Sequence, residues 1–262
     1  MKINIFKLPL YLIALSALFS SCEKTAVKDI STPFSGAQIK FYNFAVNSPG
    51  VNFYANNIKL TGLLSATGAE SATGTLFGGL SPARGYVLAP AGAAVVFKSQ
   101  TSSTMAVAAA TGQGPNIETA TLTASVEDGK SYTFYTSGVY DYTTKKSDAF
   151  IIEDKLPVSD TSQSYIRLVN PGHTTSTISL ELTNVVGSGS TTPIVVTTPI
   201  TGIAYKAASQ FIAVKSGAYT LRVIDAASGK VVTRASTGLV KDRIYTFTLR
   251  GNLVSGTPAA FI

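Results

Sequence analysis

Apolar and polar residues alternate along most of this chain with the two-residue period of β-strands. Ile39 and Phe41 flank Lys40, and Ile166 and Leu168 flank Arg167. Val51, Phe53 and Ala55 share one side, as do Ile178, Leu180 and Leu182. Tyr219, Leu221 and Val223 stand opposite Thr220 and Arg222; Tyr245, Phe247 and Leu249 stand opposite Thr246 and Thr248. Successive side chains of a strand point to opposite faces, so each sheet has an apolar face that must be covered. In an antiparallel all-β domain the usual cover is a second sheet. The Ala-rich run at Ala106–Ala110 is followed at once by Gly112, Gly114 and Pro115, and is too short to hold as a helix. Thr and Val, both β-branched, favour pleated strands.

The alternating segments occur twice. Ile39-Lys40-Phe41-Tyr42-Asn43 returns as Ile166-Arg167-Leu168-Val169-Asn170, 127 residues on. The same offset carries Val51–Asn57 onto Ile178–Asn184. Leu88–Gly92 matches Ala213–Gly217, and Tyr132-Thr133-Phe134 matches Tyr245-Thr246-Phe247. The last offset is 113, so the first repeat holds an insertion, and residues 101–117 are the place for it. Asn47-Ser48-Pro49-Gly50 and Asn170-Pro171-Gly172 are expected to punctuate the first hairpins. Glu127-Asp128-Gly129-Lys130 reads as a hairpin turn, with Ala227-Ser228-Gly229-Lys230 as its counterpart. The expected fold is all-β: two tandem immunoglobulin-like antiparallel β-sandwiches, each of about seven strands. The first spans 37–154, the second 164–262, and the polar stretch 155–163 links them.

The N-terminal segment has a different pattern. Lys2 and Lys7 precede the apolar run Leu8–Phe19, and Ser20-Ser21 follow it. A basic start, an apolar core and small residues at the cut are the layout of a secretory signal. The run falls short of the 20 or so apolar residues of a membrane-spanning helix. Leu18-Phe19-Ser20-Ser21-Cys22 resembles a bacterial lipobox with Phe19 in place of leucine. That resemblance implies cleavage before Cys22, lipidation of its thiol, and a membrane tether. Residues 1–21 are thus expected to be a lipoprotein signal peptide, and the polar 22–36 a flexible tether. Cys22 is the one cysteine of the chain, so no intramolecular disulfide is available to it. Glu23-Lys24 lacks the aspartate that resembles an inner-membrane retention signal, which points to the outer membrane.

Ile39–Asn57 (IKFYNFAVNSPGVNFYANN), then Ala91-Gly92, then Lys130–Phe134 together resemble domain of unknown function 4397. The similarity runs through roughly 37–140 and 164–253. It implies immunoglobulin-like β domains on an exported bacterial protein, and it carries no established activity. Asn43 and Asn52 stand where that family's pattern often has a histidine and an aspartate.

Candidate chemistry is sparse. The formal charge is +7, and without Lys2 and Lys7 the 19 basic and 14 acidic side chains leave +5, scattered rather than striped. Nucleic-acid binding needs a clustered basic face, so nucleic acid is not an expected partner. His173, the one histidine, sits in a turn-like Asn170–Thr175 with no nucleophile elbow in the chain. Zinc needs three or four Cys, His or carboxylate ligands at close spacing, and one lipid-bearing Cys with one His all but excludes it. Asp141, Asp148, Glu153 and Asp154 are the densest acidic group, but lysines intersperse them and no calcium ladder is present. No glycine-rich phosphate loop opens onto a helix, so no cofactor is expected. The binding hint is aromatic. Tyr132 is in phase with Phe134 and belongs to the core, whereas Tyr135, Tyr140 and Tyr142 are candidates to stack on a sugar or to anchor a protein. The expectation is a non-catalytic, lipid-anchored envelope protein, a surface binding, adhesion or spacer module. A glycan-binding lipoprotein using those tyrosines is the alternative, and a hydrolase is a third reading.

Overall fold

Two apolar-faced strand sets of the same design fold into two β-sandwiches. The computed structural model describes residues 35–64, 67–173, 176–186, 191, 194–251 and 260–261. The first sandwich holds β1 (Ala37–Asn43), β2 (Asn52–Ala55), β3 (Ile58–Lys59), β4 (Leu80–Ser81), β5 (Val87–Ala89), β6 (Gly92–Gln100), β7 (Glu118–Val126), β8 (Ser131–Asp141) and β9 (Lys146–Glu153). The second holds β10 (Gln163–Val169), β11 (Ile178–Asn184), β12 (Val196–Ile203), β13 (Ile212–Lys215), β14 (Gly217–Asp225), β15 (Val231–Leu239), β16 (Arg243–Arg250) and β17 (Ala260–Phe261). The all-β expectation holds; the helical element among the described residues is a 3-10 turn at Ala109–Thr111. No helix among them is long and apolar enough to cross a membrane.

The duplication extends to strand order and register. One sheet of the first sandwich runs β4-β1-β8-β9 with β5 also on β1, and it faces β3-β2-β6-β7. The second sandwich repeats this as β13-β10-β16-β17 over β12-β11-β14-β15. β1 lies parallel to β8 with Ile39 opposite Tyr132 and Phe41 opposite Phe134. β10 lies parallel to β16 with Ile166 opposite Tyr245 and Leu168 opposite Phe247. The other ladders are antiparallel. The all-β sandwich expectation holds, and the strand order differs from the ABED and CFG sheets of the immunoglobulin-like fold. The insertion falls where the offset places it: β6 and β7 are joined by residues 101–117, and β14 and β15 by 226–230.

The turns need correction. Ala227–Lys230 closes the β14–β15 hairpin and corresponds to the insertion, not to Glu127–Lys130. The latter carries the chain from β7 in one sheet to β8 in the other, so its Asp-Gly pair makes an inter-sheet turn. The loops after β1 and β10 likewise cross between sheets rather than closing hairpins. Asn43 and Asn170, both fully buried, hold these crossings. Asn43 Nδ2 donates to the carbonyls of Pro49 and Thr75, each at 2.9 Å, and Asn170 Nδ2 donates to that of Ile203 at 3.2 Å.

Each sandwich has its own apolar interior. Ile39, Phe41, Phe53, Phe97 and Phe134 build the first, with Phe41 stacked on Phe53 at 4.7 Å. Ile166, Leu168, Leu180, Leu221 and Phe247 build the second. Burial of each such side chain contributes about 1.5–3 kcal/mol.

A third cluster joins the two. Tyr42, Tyr135, Phe150 and Ile152 point away from the first interior, and with Phe44 they meet Val169 and Ala208 of the second sandwich. Tyr135 stacks between Tyr42 and Phe150, each 5.0 Å away. Beside this seam Arg167 forms an ion pair with Asp154, and the two side chains are 5% and 1% exposed. Thr133 Oγ1 and the Tyr86 hydroxyl donate to Asp154 Oδ2 at 2.7 and 3.0 Å. Arg167 Nε donates to Thr246 Oγ1 at 2.9 Å, and its guanidinium lies 4.7 Å over the Phe211 ring. Four sheets are thereby stacked, and the described residues from Ser35 onward form one compact unit. Residues 155–163 follow Asp154 directly, and Ser159 donates from its hydroxyl to the Asp242 carboxylate.

Removing one member of a buried pair leaves the other charge uncompensated. Arg167→Met is therefore expected to cost roughly 3–5 kcal/mol in guanidinium unfolding, and Asp154→Leu combined with Arg167→Met should recover most of that loss. A loss below 1 kcal/mol for Arg167→Met would show the seam to be held by other means.

Candidate functional site

Beyond Asn43 the chain has to leave one sheet and reach the other, and the first sandwich widens this end with loops the second lacks. Residues 60–86 join β3 to β5, where 204–211 join β12 to β13; residues 101–117 join β6 to β7, where 226–230 serve the second repeat. Pro49, Leu76, Phe77, Met105 and Ala106 line the resulting groove, whose volume is about 610 Å3. Leu76 is 61% exposed and Phe77 37%, both large apolar side chains open to solvent.

Close backbone contact fixes the groove floor. Val51 and Thr75 exchange N–H to carbonyl bonds of 3.0 and 2.7 Å. A Cβ on Gly50 would come 1.8 Å from the Thr73 carbonyl oxygen, so only glycine fits there. Glu70 ties the two long loops to the sheet. Its carboxylate pairs with Lys59, accepts from Asn52 Nδ2 at 2.8 Å, and accepts from Ser103 Oγ at 2.6 Å. The Lys59 ammonium, then the Ser103 hydroxyl, hold the Glu70 carboxyl down to about 2 from the ordinary 4.5. Asn52 is fully buried and serves as a structural partner of Glu70.

None of the residues lining the groove is an acid, a base or a thiol. It can hold apolar surface, and its few hydroxyl and amide groups can orient a ligand, but it offers no group to move a proton. A second cleft of about 340 Å3 runs beside the seam past Glu153, Lys155, Arg167, Lys206 and Phe211. Its cations are engaged: Lys155 with Glu153 at 3.6 Å, Lys206 with Asp148 at 3.0 Å, and Arg167 with Asp154.

The residues singled out from sequence fall in different places. Cys22 lies outside the described residues. Tyr135 is fully buried in the seam and Tyr140 is 2% exposed, its hydroxyl donating to the Gly112 carbonyl at 3.2 Å. Burial pushes both phenols up. Tyr142 is 41% exposed, with Tyr140 packed edge-on to it at 5.8 Å. The expected exposed strip of three tyrosines is therefore not formed. Strand alternation put Tyr135 on the outer face correctly, but that face is covered by the second sandwich, and the 101–117 insertion covers Tyr140. His173 donates its backbone N–H to the Gly251 carbonyl at 2.9 Å. The acidic group is dispersed: Asp141 accepts from the Thr143 and Thr144 amides, Asp148 from Tyr205, and Asp154 belongs to the seam. Among the described residues no cluster of three His, Cys, Asp or Glu side chains could hold a metal. The groove residues were missed, although Leu76-Phe77 within a glycine-rich stretch and the insertion itself were the available signals.

No family model matches the chain, and no curated protein matches it. A solved structure similar to it is a leucine-rich repeat protein from Bacteroides thetaiotaomicron VPI-5482, at 12% identity and a TM-score of 0.19. That likeness covers 84% of this chain and 26% of the other, so this chain spans about a quarter of its length. Agreement at this level carries no argument about either fold or function.

Two outcomes follow. Tyr135→Ala should cost about 3–5 kcal/mol, whereas Tyr142→Ala should change stability by no more than about 0.5 kcal/mol, both read by chemical denaturation. Equal effects would place Tyr135 outside the seam. Glu70 has a folded-state value below its unfolded one, so its contribution is full above pH 4.5 and is lost as pH falls toward 2. Amide exchange in 71–79 and 101–106 should rise across that window, and Glu70→Gln should remove the dependence.

Proposed function

We propose that this is a non-catalytic, lipid-anchored protein of the cell envelope, tethered through Cys22 and acting as a binding and spacing module. The observation that carries the reading is the contrast between the two kinds of site. Ionisable side chains are engaged in pairs at the seam and at the loop bases, while the open groove at the end of the first sandwich has an apolar wall and no titratable group. Binding sites with apolar walls and a few orienting polar groups suit recognition rather than bond breaking. The lipobox resemblance at Leu18–Cys22 and the polar stretch after it support a tethered location, with the outer membrane favoured by Glu23-Lys24. Several acyl chains, each methylene contributing about 0.8 kcal/mol, make such a tether firm.

Cells fed labelled palmitate should incorporate it into the wild-type protein and not into Cys22→Ser, and the variant should move from the membrane to the soluble fraction. Label retained by Cys22→Ser, or a hydrolytic activity abolished by His173→Ala, would overturn the reading.

A further inference from the structure

The loops that widen the end of the first sandwich are nearly free of charge. Residues 44–51, 60–79 and 101–117 include one ionisable side chain, Glu70, in a chain that is 13% charged. Glu70 is itself held at the loop bases by Lys59, Asn52 and Ser103. The turns after β7 and after β15 follow the ordinary pattern instead, with Glu127, Asp128 and Lys130 on one and Lys241 and Asp242 on the other.

The same loops expose large apolar side chains. Leu63, Leu64 and Val107 are 60, 49 and 75% exposed, in addition to Leu76 and Phe77. They come from separate segments, and contacts gather those segments. Leu63 bridges to Glu70, and Glu70 holds Ser103, two residues before Met105. Met105 and Ala106 share the groove with Leu76 and Phe77, and Val107 follows Ala106 directly. Exposed aliphatic and aromatic side chains ring the groove in this way.

Backbone polarity is closed off at the loop tips. Leu64 donates its N–H to the Ala69 carbonyl at 2.9 Å, and Gly79 donates to that of Leu76 at 2.9 Å. Ala108 and Gln113 exchange N–H to carbonyl bonds of 3.0 and 3.1 Å. A loop that meets lipid must satisfy its peptide groups internally, because hydrocarbon offers them no partner. A loop that docks on a polypeptide or a glycan can leave them for the partner to satisfy. Beside the 101–117 loop stands the turn from β8 to β9, where a Cβ on Gly112 would come 2.6 Å from the Tyr142 carbonyl oxygen. This turn exposes Tyr142 and Lys145, and Lys145 forms no ion pair among the described residues. Tyrosine and lysine combine an apolar body with a polar tip, which suits the boundary between acyl chains and headgroups.

We propose that this end of the first sandwich docks on a lipid bilayer. Leu63, Leu64, Leu76, Phe77 and Val107 enter the boundary between headgroups and acyl chains, to the roughly 5–10 Å that interfacial apolar faces reach. Tyr142 and Lys145 stay at headgroup level. Burial of apolar area drives the contact, so anionic lipid is not required. A charge among the tips opposes entry. The proposal rests on the reading of the groove as a binding surface and names its occupant.

The test uses residues 35–262, which form one compact unit without Cys22 or the apolar N-terminal run. Sedimentation with phosphatidylcholine vesicles should show binding that saturates with lipid and is equal at low and high salt. The chain has no tryptophan, so Phe77→Trp supplies a single reporter. Its emission should shift to the blue on vesicles and be quenched by lipids brominated in their acyl chains. Leu76→Asp and Val107→Asp should each weaken binding roughly tenfold or more, with melting curves unchanged because both side chains are exposed. Val240→Asp, at an exposed position between β15 and β16, should bind as the parent does. Failure of the parent to sediment with vesicles overturns the proposal. So does binding that needs anionic lipid and vanishes in salt, or an equal loss for Val240→Asp. A dimer that shields the Phe77→Trp reporter without lipid would overturn it in favour of a second copy. None of these failures touches the anchor, which palmitate labelling of Cys22 tests separately.

Discussion

The structure depends on a buried charge pair set in an aromatic seam. Withdrawing Asp154 and Arg167 from water costs several kcal/mol per ion, and their mutual attraction offsets this only when the remaining polar atoms are also satisfied. Here they are, by Thr133 and Tyr86 on the acid and by Thr246 on the guanidinium. Thr133 and Tyr86 belong to the first sandwich and Arg167 and Thr246 to the second, so the pair is satisfied when the sheets are face to face in a single register. Tyr135, stacked between Tyr42 and Phe150, adds apolar contact to that polar specificity. The burial that holds the seam also explains why the Tyr42 and Tyr86 phenols are pushed up: desolvation leads, with the Asp154 carboxylate adding to it.

With the seam fixed, differences between the repeats become meaningful. Strand order, the parallel pairing of first and penultimate strands, and the buried asparagine after the first strand are common to both. The loops 60–86 and 101–117 belong to the first repeat, and the long β11–β12 connection of 185–195 to the second. Shared features answer the demand for two covered apolar faces. Unshared ones answer no folding demand that both copies face, which is why recognition is sought in them.

The alternation of Ile39-Lys40-Phe41 and Ile166-Arg167-Leu168 was enough to read strands, faces and the duplication, because one buried face imposes a period of two. The seam was not legible in the same way. A strand buried on both sides loses its alternation, and Ala149-Phe150-Ile151-Ile152 is such a run, yet a continuous apolar run does not name its cover. Tyr135 was therefore placed on the outer face and taken as exposed, and its contact with the second sandwich arises from residues more than thirty positions away, such as Val169. Arg167, flanked by Ile166 and Leu168, gave no sign of its cover for the same reason. The turns were misassigned because an Asp-Gly pair specifies a tight reversal without specifying which sheet the next strand joins. The groove was invisible because Pro49, Leu76 and Met105 meet only after three loops have folded over one end.

Ser35 and Gly36 enter the body at the start of β1, held against the turn after β7 by Asp128 and Gly129. The groove lies beyond the opposite end of that strand, whose seven residues span roughly 20 Å. The first sandwich therefore has its chain entry and its groove at opposite ends. A pull applied at Ser35 would act at the end of the first sandwich away from the groove, and so would leave the apolar mouth clear of the point of entry.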